Sequence, residues 1–172
     1  GAQAASAATF SLSPSVGTFT VGDTITVNIM LNTAGAPVDG IDIRYLNYNP
    51  ALLQLLDENA AVSGVQILPG SLMPNTAANS ADTTLGRISF SQVTSGGSIF
   101  SNNANQVLAT ARFKVLSAGA GAVTFNFTLG STIDANVSSS GSDVLTAVTN
   151  GSYTLNQAFN FSLSNTGNVT VM

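Results

Sequence analysis

The feature that most constrains this chain is an apolar/polar alternation of period two that recurs between turn signals along most of its length. Successive side chains of a strand point to opposite faces, so such a run buries one face and wets the other only as a β-strand. In Thr24 to Leu31 (TITVNIML) the apolar set is Ile25, Val27, Ile29 and Leu31, with Thr24, Thr26 and Asn28 opposite. Val107 to Val115 repeats the pattern, with Val107, Ala109, Ala111, Phe113 and Val115 expected inward and Arg112 and Lys114 outward. Val123 to Leu129 does so again, and Phe10 to Leu12, Arg87 to Val93 and Val144 to Leu155 are further strands, the last broken near Asn150-Gly151. Each run is bounded by Gly, Asn, Pro or Ser, for example Val21-Gly22-Asp23 and Ala118-Gly119-Ala120-Gly121. Regular short strands separated by turns predict an all-β, two-sheet β-sandwich.

Two stretches depart from the pattern. Ile41 and Ile43 share one phase whereas Leu46 and Tyr48 share the next, so one extra residue near Arg44-Tyr45, a β-bulge, is needed to keep both halves facing the core. Pro50 to Leu56 (PALLQLL) follows Asn49 and reads as one helical turn, because proline suits the first position of a helix. Residues 57–86 are rich in Asn, Ala and Gly and read as a long ordered connection across one end of the sandwich.

Composition removes several function classes. The 172 residues hold 4 Lys plus Arg, 8 Asp plus Glu, and no His, Cys or Trp. No zinc or haem centre of the usual kind, no histidine-based nucleophile and no disulfide can be built from them. A net charge of −4 without a basic cluster leaves nothing to neutralise a phosphate backbone, so nucleic acid is not an expected partner. No run reaches the 18 or so apolar residues of a membrane span. Ser, Thr and Asn fill 57 positions, which points to a folded domain with a hydroxyl and amide surface, expected outside the cell or at its surface. The small-residue start, GAQAASAATF, resembles the region just after a signal-peptidase cut. Five Asn-x-Ser/Thr sequons, at Asn126, Asn136, Asn150, Asn160 and Asn168, are candidate glycosylation sites in that setting.

No catalytic constellation stands out. Asp57 and Glu58 are adjacent carboxylates, but neighbours on an extended chain point apart instead of facing across a substrate. A sugar platform needs exposed planar aromatics; there is no Trp, and Tyr45, Tyr48 and Tyr153 all fit strand patterns as core or edge. Cofactors are not expected. Asp39, Asp42, Asp82 and Asp134 offer oxygen ligands for calcium, without the spacing of a calcium loop. Lys114, the one lysine, has an outward phase that is wrong for a buried intramolecular amide.

The sandwich pattern ends near Leu155, yet Phe159, Phe161, Leu163, Val169 and Val171 then begin a new alternating segment. An extended segment 158–172 would reach roughly 45 to 50 Å. Its apolar side needs shelter, and strand addition to a neighbouring copy would give it, joining subunits head to tail. The expected organisation is therefore an N-terminal segment 1–8, a sandwich 9–155 and an extension 156–172, which is an exchanged strand or the start of a following domain.

Four segments carry a family resemblance. Val21-Gly22-Asp23-Thr24-Ile25-Thr26-Val27, Gly40-Ile41-Asp42 through Tyr48-Asn49-Pro50-Ala51-Leu52-Leu53, Gly86-Arg87-Ile88-Ser89-Phe90 and Val107 to Val115 (VLATARFKV) resemble, in order and register, signatures of cohesin modules. The family's Asp before Pro is Asn49 here. The resemblance implies a nine-stranded jelly-roll sandwich, related to some carbohydrate-binding modules, that is non-catalytic and binds another protein, in cellulosomes a dockerin. It further implies docking on a sheet that contains both the Gly40-x-Asp42 and the Phe113-Lys114-Val115 strands, with Asp42, Arg44, Thr110, Arg112 and Lys114 as the partner-facing residues. Three readings follow: an extracellular assembly module, such as a surface filament subunit joined to copies of itself through Phe159, Phe161, Leu163, Val169 and Val171; a receptor for a dockerin-like module; and a carbohydrate-binding module.

Overall fold

A computed structural model describes residues 7–162 and residue 167. Among them are fourteen strands and no helix: β1 (Ala8–Ser13), β2 (Val16–Thr20), β3 (Thr24–Asn32), β4 (Gly40–Tyr48), β5 (Leu53–Leu55), β6 (Leu68–Pro69), β7 (Asn75–Asp82), β8 (Arg87–Val93), β9 (Gln106–Val115), β10 (Gly119–Phe125), β11 (Asn136–Ser139), β12 (Ser142–Asp143), β13 (Leu145–Thr149) and β14 (Gly151–Asn156). One sheet runs β13-β1-β3-β9-β5, with β6 also on β9. The other runs β12-β11-β4-β10-β14-β2, with β8 on the far edge of β4 and β7 outside β8. The fold is an all-β sandwich of these two sheets.

The alternation explains the core. In β3, Ile25, Val27, Ile29 and Leu31 are all 1% exposed or less, and from the facing sheet Ile43, Leu46, Ile88 and Phe90 are fully buried. Two aromatic pairs span the gap between sheets. Phe10 of β1 stacks on Phe125 of β10 with ring centres 5.5 Å apart, and Tyr48 of β4 meets Phe113 of β9 edge-on at 5.1 Å. Such contacts add about 0.5–1.5 kcal/mol each beyond the area they bury. Gly86, which closes the β7–β8 hairpin, is required on two counts. Its φ is +68°, and a Cβ there would sit 2.0 Å from the carbonyl oxygen of Tyr48.

Several expectations need correction. Pro50 to Leu56 is a single turn only as far as Leu52: Asn49 Oδ1 accepts the Ala51 N–H at 2.9 Å and its carbonyl the Leu53 N–H at 2.9 Å, and the rest is strand β5, which buries Leu53 and Leu55 beside β9. Residues 57–86 hold two strands, β6 and β7, where a connection was expected. In β9, Val107 points out and Leu108 in, because Ile29 pairs with Ala109 and Met30 with Val107, leaving Leu108 as an extra residue in the ladder. β10 stops at Phe125 instead of reaching Leu129, which is 68% exposed. After Asn156 the described residues of the extension form no strand, and Phe159 and Phe161 are 88% and 73% exposed, with their rings stacked at 6.4 Å. Leu163, Val169, Val171 and Asn168 lie outside the described residues.

Candidate protein-binding face

The bulge in β4 is where the sequence expected it. The ladder between β4 and β8 shifts register between Arg44 and Leu46, and the extra residue, Tyr45, takes a φ of +71°. A left-handed φ is costly for a bulky side chain, of order 1–3 kcal/mol, and is held only where the surroundings impose it. Its effect is to turn Tyr45 outward, 41% exposed, onto the same surface as Asp42 and Arg44.

Around it the outer surfaces of β11, β4, β8 and β7 form a groove of about 620 Å³. Its floor is made of small side chains, among them Ser89 and Ser91 of β8, Ala78 of β7 and Ser138 of β11. Two charged contacts frame it. Arg44 Nε donates to Asp42 Oδ2 at 2.9 Å, and the Arg87 guanidinium lies 5.1 Å from the centre of the Tyr45 ring. Both pairs sit in water-accessible positions, so each contributes at most about 1 kcal/mol to stability and stays available to a partner. At the far end of β4, away from the groove, Tyr48 presents a buried hydroxyl without a hydrogen-bond partner among the described residues. Burial first and Asp82 second push its phenol above the usual range, so it stays neutral between the sheets.

The five residues expected to form one partner face are divided. Asp42 and Arg44 lie on β4, which pairs with β8, β10 and β11; Thr110, Arg112 and Lys114 lie on β9, which pairs with β3, β5 and β6 in the opposite sheet. The Gly40-x-Asp42 and Phe113-Lys114-Val115 strands thus cover the core from opposite sides, and no single flat partner can touch both sets. On the β9 side two of the three are already engaged. Thr110 Oγ1 donates to Asn28 Oδ1 at 2.8 Å, and Arg112 Nε bonds Glu58 Oε1, which raises the Arg112 pKa. Lys114 is exposed.

Nothing in the sequence alone singles out Tyr45, Arg87, Ser89 or Ser91 as partner-facing residues. The alternation of Arg87 to Val93 already assigns Arg87, Ser89 and Ser91 to the outer face, but it carries no information on which outer face is grooved. Among the sequons, Asn126, Asn150 and Asn160 are exposed, although Asn150 Oδ1 accepts the Phe125 N–H at 2.8 Å. Asn136 lines the groove itself, half-buried, so a glycan there would occupy the face. Among the described residues no three His, Cys, Asp or Glu side chains gather, and Asp39, Asp42, Asp82 and Asp134 do not converge on one point. Asp57 Oδ1 accepts the Asn59 and Gln66 N–H groups, a turn-forming role, while its neighbour Glu58 is held by Arg112.

Comparison with known proteins gives one family. The model of the cohesin domain matches residues 12–154. Solved structures with the same fold include a non-cellulosomal cohesin from the archaeon Archaeoglobus fulgidus, 18% identical with a TM-score of 0.61, covering 87% of this chain and 91% of that one. The seventh ScaB type I cohesin of Pseudobacteroides cellulosolvens is 19% identical with a TM-score of 0.62, covering 92% and 98%. A type I cohesin-dockerin complex from Clostridium thermocellum contains a chain 13% identical with a TM-score of 0.64, covering 92% and 99%. No curated protein sequence matches the chain.

Proposed function

The chain belongs to the cohesin family, and we propose that it is a non-catalytic receptor that binds a dockerin-like protein module on the outer surface of β11, β4, β8 and β7. The observation that carries this reading is the groove that runs along β4 from Gly40 to the Tyr45 bulge. It combines an exposed aromatic with Arg87 beside its ring, a lining arginine and carboxylate, and a floor of small side chains, while on the opposite surface Thr110 is tied to Asn28 and Arg112 to Glu58. Interfaces of this type draw their affinity from a few aromatic and arginine anchors, and an area of about 800 Å² per partner is typical. The family match supports partner binding ahead of self-assembly, since cohesins are interaction modules and one structural relative is solved with a dockerin. An extracellular or cell-surface setting fits the family and the low-charge composition.

The reading is tested by capturing dockerin modules from a panel on the immobilised chain and repeating the capture with Tyr45→Ala and Asp42→Ala. Loss of capture with both variants is expected; unchanged capture would contradict the proposed face. Assembly through the extension has one observation in its favour, the exposed Phe159 and Phe161 beyond β14. On that reading, removing residues 158–172 leaves a folded sandwich that no longer associates, and unchanged association after removal would dispose of it.

A further inference from the structure

β7 is an eight-residue outer strand whose only ladder among the described residues is with β8. No backbone hydrogen bond from another described element reaches its free edge. The other outer strands are shorter: five residues in β2 and β13, three in β5, and two in β6 and β12. A bare edge is a template for another strand, and proteins ordinarily block it with Lys, Pro, an inward charge, a bulge or extreme shortness; β7 has a bulge only in its first half, between Thr76 and Ala78. β6 carries such a block in Pro69, whereas β7 (NTAANSAD) has no Lys, Arg or Pro, and its single charge, Asp82, is at its end. The register shift between Thr76 and Ala78 leaves Ala78 to Asp82 as the regular part.

That regular part is self-complementary. The Asn79 side chain turns inward and bonds the Ile67 backbone, Oδ1 accepting its N–H at 3.0 Å and Nδ2 donating to its carbonyl at 2.8 Å, which fixes the edge to the loop behind it. Ala81 also packs inward. Ala78, Ser80 and Asp82, paired with outward-facing residues of β8, share the groove side. We propose that β7 pairs antiparallel with β7 of a second copy about a two-fold axis at Ser80. In this register Ala78 lies opposite Asp82 of the other copy, Asn79 opposite Ala81, and Ser80 opposite Ser80. Inward residues meet inward ones, outward meet outward, and no like charges face each other. The contact is isologous and closes at two subunits. It also merges the two groove-bearing sheets into one, with Ala78, a groove residue, beside the seam, so the pair presents two partner sites on one surface.

Ser80 is exposed, lies outside the groove lining and faces itself across the axis. Sedimentation equilibrium of the full chain over a concentration series is expected to show a reversible dimer. Ser80→Lys and Ser80→Glu each place two like charges opposite one another and should weaken association by about tenfold or more, with thermal melting confirming that both remain folded. An equimolar mixture of the two should restore the dimer. A wild-type chain that is monomeric at every concentration, or a Ser80→Lys chain that associates like wild type through some other surface, would overturn the proposal.

Discussion

The two outer surfaces of the sandwich are built from the same kinds of residue and present themselves differently. Both are rich in Ser, Thr and Asn, and each carries two of the chain's four basic residues: Arg44 and Arg87 on one, Arg112 and Lys114 on the other. On the β3–β9 side the ladder also shifts, at Leu108, but the extra residue there points into the core, and on the regular stretch from Thr24 to Ile29 Thr110 bonds Asn28 across the strands while Arg112 reaches to Glu58. On the β4–β8 side the bulge at Tyr45 breaks the ladder, lifts an aromatic out of the core phase and leaves a groove beside it. A surface with its hydrogen bonds closed gains little from a partner, because binding must first break what is already made. One with an exposed ring and a small-residue floor gains more. Composition does not distinguish the two surfaces; local backbone geometry does.

The comparison can be broken first at the core that the two surfaces share. Phe113 of β9 packs on Tyr48 of β4, so Phe113→Ala should cost about 3–5 kcal/mol by urea unfolding and remove both surfaces together. Retention of full stability would mean that the sheets are not coupled through this pair.

Alkali should separate them. Burial pushes the Tyr153 phenol of β14 from its ordinary 10.0 to about 12, while its hydroxyl donates to the Pro14 carbonyl at 2.7 Å. The folded state holds this proton more tightly than the unfolded state. The contribution is therefore fully present below about pH 10 and fades as pH rises to about 12, by about 2–3 kcal/mol for a shift of this size. Tyr48, also raised, lies in the same sheet, so amide exchange on the β4 and β14 side should rise before exchange on the β3 and β9 side. Tyr153→Phe should flatten the stability profile over that interval.

Binding sharpens the contrast on a smaller scale. Tyr45→Ala should weaken a captured dockerin-like module by about 2 kcal/mol, about 30-fold, whereas Thr110→Ala should leave its affinity nearly unchanged. The smallest effect is expected for Lys114→Ala, within about 0.5 kcal/mol in stability and without effect on capture, since this side chain is exposed and no ion pair among the described residues holds it.

Much of the fold was legible because one face of most strands is fully buried, which writes the alternation into TITVNIML and GRISFSQV, and because a bulge must leave a phase change such as that between Ile43 and Leu46. β7 was not legible, since NTAANSAD at a sheet edge buries almost nothing and shows no apolar period; the Asp82-to-Gly86 turn that closes its hairpin was the available signal. β5 was mistaken for a helical turn because three residues, LQL, are too few to distinguish the two periods. The candidate face was half legible. Asp42 and Arg44 follow from their outward phase, but the sheet to which a strand belongs depends on long-range pairing, and nothing in VLATARFKV itself says that β9 joins β3 instead of β4.

Hydrogen-exchange protection of this chain with a captured dockerin module tests the central claim most directly. The account predicts that protection falls on β4, β7, β8 and β11, strongest around Asp42 to Tyr45, and spares the outer surface of β3 and β9. Protection confined to β3 and β9, or a folded chain that captures no dockerin from a broad panel, would contradict it.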